Sequence, residues 1–307
     1  MMTTIREHAE QYLGMRRALG FKLTTFGNRL LSFVRYLEAH HMNVITAESA
    51  LEWAITAPAE VTRNRRLMVV RTFARHLVVL EPATEIPPVD MLSCHCPRPT
   101  PHVYTSGETT ALLVAADGLL PTLRALTFRT VVSLLAVTGM RTGEACRLDM
   151  ADVDFDAGVL TIRDTKFGKY RQVPIHPSTV AALRDYVRDR DRLCRTVCSP
   201  ALFVSIHGAR LDHTTMPRTF RKLVDTAGIT VPSGQRRPHL HDFRHSFATA
   251  TLLDWYRDGV DVAARMPWLS TYLGHVDPRS TYWYLTGTPE LLALAAARLD
   301  GAFGGKP

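Results

Sequence analysis

The sequence predicts a mainly α-helical fold with a small β-sheet, arranged in two domains. Apolar residues recur at helical spacing along most of the 307 residues. Two short runs, residues 159–163 and 170–175, are instead rich in β-branched and aromatic side chains and flank a turn with a glycine, which favours a β-hairpin. A proline-rich segment separates the N-terminal helices from the rest of the chain, which indicates a domain boundary.

The predicted N-terminal domain spans residues 1–85 and consists of helices. Helical spacing predicts four of them, the last from about residue 61 to residue 80. This fourth segment carries arginines and no acidic residue, a composition suited to the sugar-phosphate backbone of DNA. An ordinary solvated basic face is the alternative. The DNA contacts expected from this helix are Arg63, Arg65, Arg66 and Arg71.

Residues 86–105 are the predicted linker, because the five prolines within them exclude a helix or a central strand. The second domain then spans residues 106–307. It opens with a helix, since Thr105 or Ser106 followed by Glu108 has the chemistry of a helix N-cap. Beyond the predicted hairpin the pattern is mostly helical and ends in a short tail rich in leucine and alanine.

The net charge of the chain is basic, since 37 Lys and Arg against 29 Asp and Glu give +8 at pH 7. A surplus of this size favours polyanionic partners, nucleic acid first among them. No apolar run approaches the ~20 residues of a membrane helix, and the charged N-terminus is unlike a signal peptide. We therefore expect a cytoplasmic protein with no membrane partner. The odd number of cysteines, 5, argues against a disulfide framework.

One set of side chains in the second domain fits cleavage of a phosphodiester bond without a metal ion. Covalent cleavage needs a nucleophile that forms a phosphoester, and tyrosine is one of the few side chains that serve. Guanidinium groups can hold the charge of the phosphate oxygens, and an acid must protonate the departing sugar hydroxyl. The sequence supplies these groups in order: Thr138-Gly139-Met140-Arg141-Thr142-Gly143-Glu144, Lys166 in the hairpin turn, His241-Asp242-Phe243-Arg244-His245, Leu273-Gly274-His275, and Tyr284.

These motifs resemble those of the tyrosine recombinase, or phage integrase, family. Its catalytic residues lie in a T-G-x-R-x-x-E box, a hairpin lysine, H-x-x-R, L-G-H and a tyrosine. Each motif alone is weak, but five in this order with compatible spacing are specific. The resemblance covers about residues 106–290. It implies an N-terminal core-binding (SAM-like) domain, a catalytic domain with a C-terminal interaction tail, and a C-shaped clamp around the duplex.

The resemblance also implies how the phosphate is held. Arg141 and Arg244 would clamp the scissile phosphate and stabilise the charge of the transition state. His241 and His275 would donate hydrogen bonds to it, and His241 would also help to move the proton of the nucleophile. Glu144 would orient this cluster as a neighbour of Arg141. No metal site and no cofactor is implied.

The nucleophile and the leaving-group acid each have a close neighbour in sequence. Tyr284 is expected to attack and form a 3′-phosphotyrosine, because its spacing from the L-G-H motif matches the family, and Tyr282 is the alternative. Lys166 is expected to protonate the leaving 5′-oxygen. Lys169 and Arg171 on the same hairpin are expected to bind backbone phosphate. Further expected DNA contacts are Arg236 and Arg237.

The function implied is site-specific DNA recombination, in the form of integration, excision or transposition. A type IB topoisomerase shares the chemistry, but the helical N-terminal domain and the position of Tyr284 favour recombination. A catalytically inactive architectural factor would lack a catalytic residue, and none is missing. The resemblance implies a homo-tetramer on double-stranded DNA. A monomer is one candidate state for the protein in solution without DNA. Other recombinases or accessory proteins of the same mobile element are further candidate partners.

Overall fold

The computed structural model describes residues 4–92, 100–163, 170–275, 277, 279–286, 290–294 and 296. The chain divides into two compact units, an N-terminal unit, Met1–Arg98, and a C-terminal unit, Pro99–Pro307. Most of the described residues are helical, and they contain one three-stranded sheet. The mainly α-helical fold with a small sheet is thereby confirmed. Within these described ranges no helix is long and apolar enough to cross a membrane.

The helices of the N-terminal unit are α1 (Ile5–Ala18), α2 (Thr24–Ala39), α3 (Ala47–Ile55) and α4 (Glu60–Leu77). Thr4 begins α1 with a capping box, in which its hydroxyl accepts from the Glu7 amide and the Glu7 carboxylate accepts from the Thr4 amide. The rings of Phe33 and Trp53 lie 5.1 Å apart and are both buried. Aromatic and aliphatic side chains from all four helices therefore form one apolar core.

The helices of the C-terminal unit are α5 (Ser106–Asp117), α6 (Thr122–Thr138), α7 (Thr142–Arg147), α8 (Pro177–Leu193), α9 (Met216–Thr226), α10 (Asp242–Arg257), α11 (Val262–Leu273) and α12 (Arg279–Tyr282). A 3₁₀ turn, Trp283–Thr286, follows α12. Helix α6 packs against α5, α8 and α10, and its Val131, Val132 and Leu135 are buried. Because α6 lies at the centre of this unit, its C-terminal end fixes where the following residues begin.

The strands of the C-terminal unit are β1 (Val153–Asp154), β2 (Val159–Ile162) and β3 (Arg171–Pro174). They form an antiparallel sheet in the order β1-β2-β3. Leu160 pairs with Val173, and Ile162 pairs with Arg171 across the hairpin. Both strands predicted from the sequence form, whereas β1, with two residues, is too short to give a periodic signal. The register places Arg171 opposite the end of β2.

Two glycines in the left-handed conformation end the helices that precede site residues. Gly139, with φ +61°, ends α6, and Gly274, with φ +68°, ends α11. Residues with a Cβ rarely adopt this conformation, which is why glycine is common at helix C-termini. The turns that these glycines make direct the chain into Arg141 and His275.

Part of the C-terminal segment packs on its own unit. Leu291 is buried in a cluster with Leu252 and Leu269. Beside it, the Arg257 guanidinium and the Glu290 carboxylate form an ion pair at 2.5 Å. The start of the predicted interaction tail therefore contacts its own chain.

We expect Gly139→Ala to destabilise the protein more than Gly259→Ala. Both glycines have a left-handed backbone, so either alanine should cost about 1–2 kcal/mol of unfolding free energy. A Cβ at Gly139 would also lie 2.6 Å from Cδ1 of Phe247, whereas nothing lies within 4 Å of one at Gly259. Overpacking should add about 1–3 kcal/mol to the loss at Gly139.

Urea denaturation of the two variants and the wild type measures this difference. Equal losses for Gly139→Ala and Gly259→Ala would mean that the close approach of Phe247 is not a constraint on the turn.

Candidate active site

The turn after α6 positions the first arginine of the predicted site. Gly139 reverses the direction of the chain, and Arg141 becomes the N-cap residue of α7. The Arg141 amide donates to Glu144 Oε2 at 2.9 Å, and its Nη1 donates to Glu144 Oε1 at 2.7 Å. The sequence spacing R-x-x-E thus produces a contact across one helical turn. The Arg141 side chain is 40% exposed, so it can still reach a ligand in solvent.

The Glu144 carboxylate lies in the protein interior, with 4% of the residue exposed. Besides Arg141, it accepts hydrogen bonds from Arg171 Nη1 at 3.2 Å and from Arg171 Nη2 at 2.8 Å. Burial acts to raise the pKa of Glu144, but hydrogen bonds and charge from Arg171 and Arg141 outweigh it and lower the pKa to about 2. Glu144 is therefore ionised and holds two guanidinium groups in fixed orientations.

Arg244 is the most deeply buried arginine of the predicted site, with 1% of the residue exposed. It lies in the first turn of α10. Its Nη1 donates to the Gly139 carbonyl at 3.1 Å, and its Nη2 donates to the Leu273 carbonyl at 2.6 Å. Burial and then the charge of Arg141 lower its pKa to about 10, so that the guanidinium remains charged at neutral pH. The two turns that precede Arg141 and His275 are thus joined by one guanidinium.

His241 is the residue before α10 and is exposed at the surface. Its loop is fixed by the buried carboxylate of Asp242, which accepts from the His239 amide at 2.7 Å and pairs with Arg236. Desolvation of the ring by the surrounding protein, followed by the charge of Arg244, lowers the pKa of His241, so that its neutral form is favoured. The ring is accordingly available to bind or move a proton.

His275 follows Gly274 and lies beside the predicted nucleophile. Its Nδ1 is 2.7 Å from the hydroxyl of Thr281, a contact that orients the ring. Its ring stacks on that of Tyr284, with centroids 5.9 Å apart and planes at 23°. Burial and then the charges of Arg244 and Arg141 lower the pKa of His275 to about 4. The imidazole is neutral at pH 7, and an anionic phosphate would offset the repulsion of the arginines.

The two candidate tyrosines lie in different environments. Tyr284 is 6% exposed, and its ring also contacts that of His245, with centroids 5.0 Å apart. It interacts with the guanidinium of Arg244. Tyr282 is 51% exposed. The structure therefore brings Tyr284 to the cluster of arginines and histidines, as the motif spacing predicts.

Lys166 and Lys169 lie outside the described residues, in the segment that joins β2 to β3, and their assignments remain predictions. Arg171, expected to bind backbone phosphate, is instead directed into the protein. Its side chain is 10% exposed and is bound by Glu144 and by the Tyr272 carbonyl. Proximity to the basic hairpin turn in sequence suggested a DNA contact, but the position on β3 determines the actual partners.

The arginines predicted on α4 have several different partners. Arg63 Nε donates to the Ala57 carbonyl at 2.7 Å, and Arg66 Nη1 donates to the Trp53 carbonyl at 2.8 Å. Arg71 Nε donates to the Pro87 carbonyl at 2.7 Å. These three guanidinium groups hold neighbouring loops, a use that their spacing in sequence does not indicate. Of the four predicted contacts, Arg65 is the one exposed residue.

Two further predicted DNA contacts precede α10. Arg236 pairs with Asp242, and Arg237, more than half exposed, pairs with Asp225. Arg236 therefore supports the loop that carries His241. Arg237 retains an accessible side chain.

His245 and Thr281 complete the surroundings of the tyrosine, although sequence analysis did not assign them a role there. His245 is 4% exposed, and Thr281 is 1% exposed. His245 lies four residues after His241, and Thr281 lies three residues before Tyr284, so helical spacing was the available signal. The site as a whole combines the fixed positive charge of Arg141 and Arg244 with the aromatic hydroxyl of Tyr284. Such a site can bind and attack a phosphodiester.

Comparisons with known proteins agree with this site. The model of the phage integrase family matches residues 105–290. The chain is 44% identical to "Putative integrase/recombinase y4rB" of Sinorhizobium fredii. This similarity covers 97% of this chain and 98% of that protein. It is 28% identical to "Tyrosine recombinase XerC" of Myxococcus xanthus over 86% of each protein. A lambda integrase tetramer bound to a Holliday junction has the same fold, with a TM-score of 0.62 and 17% identity over 90% of this chain and 79% of that chain.

We expect Glu144→Gln to destabilise the protein in a pH-dependent manner. Because the folded pKa of about 2 lies below the ordinary value of 4.5, the charge of Glu144 stabilises the fold fully above pH 4.5 and less as the pH falls towards 2. At pH 7 the glutamine variant should lose about 3 kcal/mol of unfolding free energy. The loss should shrink between pH 5 and pH 2.

The measurement is urea denaturation at several pH values. Asp156→Asn is the control, because its side chain is 97% exposed and its loss should be small at every pH. A stability difference for Glu144→Gln that does not change with pH would contradict the assignment of a stabilising charge to Glu144.

Proposed function

The chain belongs to the phage integrase family of tyrosine recombinases, and we propose that Tyr284 is the nucleophile with which it cuts and rejoins DNA. The family assigned from the sequence motifs is confirmed, and with it an enzyme of site-specific recombination. The position of Tyr284 supports this role most directly. The tyrosine lies against His275 and His245 and interacts with the buried guanidinium of Arg244.

In the proposed cleavage step, the Tyr284 hydroxyl oxygen forms a bond to the scissile phosphorus. The bond from phosphorus to the 5′-oxygen breaks, which leaves a 3′-phosphotyrosine and a 5′-hydroxyl. The proton of the tyrosine passes towards His241, and Lys166 gives a proton to the departing oxygen. The 5′-hydroxyl of a partner strand then attacks the phosphotyrosine and releases the tyrosine. The number of phosphoester bonds is conserved, so no nucleotide cofactor is consumed.

The arginines and His275 stabilise the charge of the transition state in this proposal. Arg244 is rigid, because two backbone carbonyls hold its guanidinium. Arg141 is oriented by Glu144 but is partly exposed, so it can close on a bound phosphate. Preorganised donors of this kind lower the barrier because they need little reorganisation during the reaction.

Two alternatives share some of these features. A type IB topoisomerase would use the same chemistry, but the similarity to an integrase/recombinase extends over 97% of the chain, including the N-terminal unit. An inactive DNA-binding factor would be expected to lack part of the catalytic set. Of that set, the described residues include Arg141, His241, Arg244, His275 and Tyr284. The charges of Arg141, Arg244 and His241 act on His275, whose ring stacks on that of Tyr284, and this supports an active enzyme.

Double-stranded DNA is the proposed substrate, and the proposed assembly on it is a homo-tetramer. Recombination between two duplexes requires two cleavages on each, and one protomer supplies one Tyr284. The comparison structure of lambda integrase is a tetramer bound to a Holliday junction. We propose that Arg65 and Arg237, whose side chains are exposed, contact the DNA backbone. Other recombinases or accessory proteins of the same mobile element are proposed as further partners.

Covalent trapping tests the nucleophile. Protein is incubated in EDTA with a suicide substrate that carries its recombination site, and adducts are separated on denaturing gels. Wild type and Tyr282→Phe should form a 3′-linked adduct, and Tyr284→Phe should form none, because phenylalanine has no oxygen to attack phosphorus. Tyr282→Phe is the matched control, since Tyr282 is half-exposed and outside the cluster.

An adduct lost in Tyr282→Phe and retained in Tyr284→Phe would contradict the proposed nucleophile. If the wild type binds its site tightly but forms no adduct, the inactive DNA-binding factor becomes the better description.

The C-terminal tail is proposed to couple neighbouring protomers, which a truncation can test. Deleting residues 297–307 spares Leu291, which the C-terminal unit needs for its own packing. We expect the truncated protein to form the covalent adduct on a single site at the wild-type rate. Recombination between two sites should fall by about 5- to 150-fold, the range of typical coupling between sites. Unchanged recombination would rule out this role of the tail.

A further inference from the structure

Arg171 joins elements of the C-terminal unit that carry different catalytic residues. It is the first residue of β3, and its side chain is 10% exposed. One edge of its guanidinium donates to Glu144 through Nη1 and Nη2, at 3.2 Å and 2.8 Å. Its Nε donates to the carbonyl of Tyr272 at 2.9 Å. Glu144 follows Arg141 on α7, and Tyr272 precedes His275 at the end of α11.

The close approach of this guanidinium to Gly274 gives the L-G-H glycine a second reason to be glycine. Besides the left-handed φ of +68°, a Cβ at Gly274 would lie 2.7 Å from Arg171 Nη1. Real Cβ atoms essentially never lie within 3.0 Å of a non-bonded heavy atom. The turn that leads into His275 is therefore shaped around the side chain of Arg171.

We propose that Arg171 is a positioning residue that sets Arg141, through Glu144, and His275, through the turn at Gly274, relative to each other. The proposal rests on the function proposed above. The planar guanidinium suits this task because its donors can bind a carboxylate and a carbonyl at the same time in a fixed geometry. A lysine ammonium would keep the charge but has no such planar fork, so it should not maintain both contacts.

Arg163, the residue after β2, is a natural control for Arg171. It lies near Arg171 on the same hairpin, since Ile162 pairs with Arg171, and it also binds a buried carboxylate, that of Asp152. Its side chain, however, is 64% exposed and binds Asp152, a residue outside the proposed catalytic set. Arg163→Gln thus removes an arginine from the hairpin without disturbing the contacts to Glu144 and Tyr272.

The first experiment compares wild type, Arg171→Lys and Arg163→Gln in single-turnover cleavage of the suicide substrate, together with DNA affinity. Arg171→Lys should lower the rate of adduct formation by about 10- to 100-fold, the usual cost of losing the support of catalytic groups, and leave the dissociation constant for DNA nearly unchanged. Arg163→Gln should cleave at the wild-type rate. A folded Arg171→Lys that cleaves at the wild-type rate would overturn the proposal.

A substrate with a bridging 5′-sulfur separates this role from an effect on the leaving group. A thiolate departs without needing a proton, so the sulfur substrate restores cleavage to a variant that has lost only its general acid. If Arg171 positions Arg141 and His275, the defect of Arg171→Lys should persist on the sulfur substrate. Restoration of the wild-type rate would show that Arg171 acts through the leaving-group acid instead.

Gly274→Ala provides a second variant in case Arg171→Lys is unstable, because it leaves Arg171 in the chain and displaces its guanidinium. Gly259→Ala is its control for backbone strain. Gly274→Ala should cleave more slowly than Gly259→Ala at equal DNA affinity, and equal cleavage rates for the two folded variants would overturn the proposal. Wild-type protein in every experiment separates the two ideas: a wild type without adduct contradicts the proposed function, whereas a cleaving wild type leaves Arg171 to be judged alone.

Discussion

A buried carboxylate, that of Glu144, lies between two guanidinium groups that reach it from different elements. Arg141 comes from the N-terminus of α7 and Arg171 from β3. The Glu144 carboxylate and the Arg171 guanidinium would each be costly to bury alone, so the removal of one leaves the other uncompensated. The two arginines differ in exposure, since the Arg141 side chain is partly exposed and the Arg171 side chain is buried. The orientation in which Arg141 can meet a phosphate therefore depends on this one acidic residue.

The backbone turns around Gly139 and Gly274 provide the second constraint. Arg244 donates to the carbonyl of Gly139 and to that of Leu273, so one side chain holds both turns. Phe247, on the same helix as Arg244, lies so close to Gly139 that a Cβ there would be 2.6 Å from its Cδ1. The Phe247 ring stacks on that of Tyr272, with centroids 5.5 Å apart. Residues that are far apart in sequence are thus brought together by short, sterically demanding contacts, and the catalytic groups extend from them.

Much of this arrangement could be predicted from the sequence, because its signals are local. Helical spacing and N-cap chemistry indicated the helices, and a turn between two β-branched runs indicated the hairpin. The order of the motifs indicated that Arg141, Arg244, His275 and Tyr284 share a site. The partners of the other arginines could not be predicted in this way. Arg171 is directed inwards because β3 lies beside α7 and α11, a property of the tertiary structure.

Identification of the tyrosine that carries DNA in the trapped adduct shows directly whether Tyr284 is the nucleophile. Trypsin cleaves after arginine, so digestion should release residues 280–298 as one peptide that contains both Tyr282 and Tyr284. Mass-spectrometric fragmentation of this peptide then locates the attached nucleotide. We expect the nucleotide on Tyr284. A nucleotide on Tyr282, or on a different peptide, would contradict this expectation.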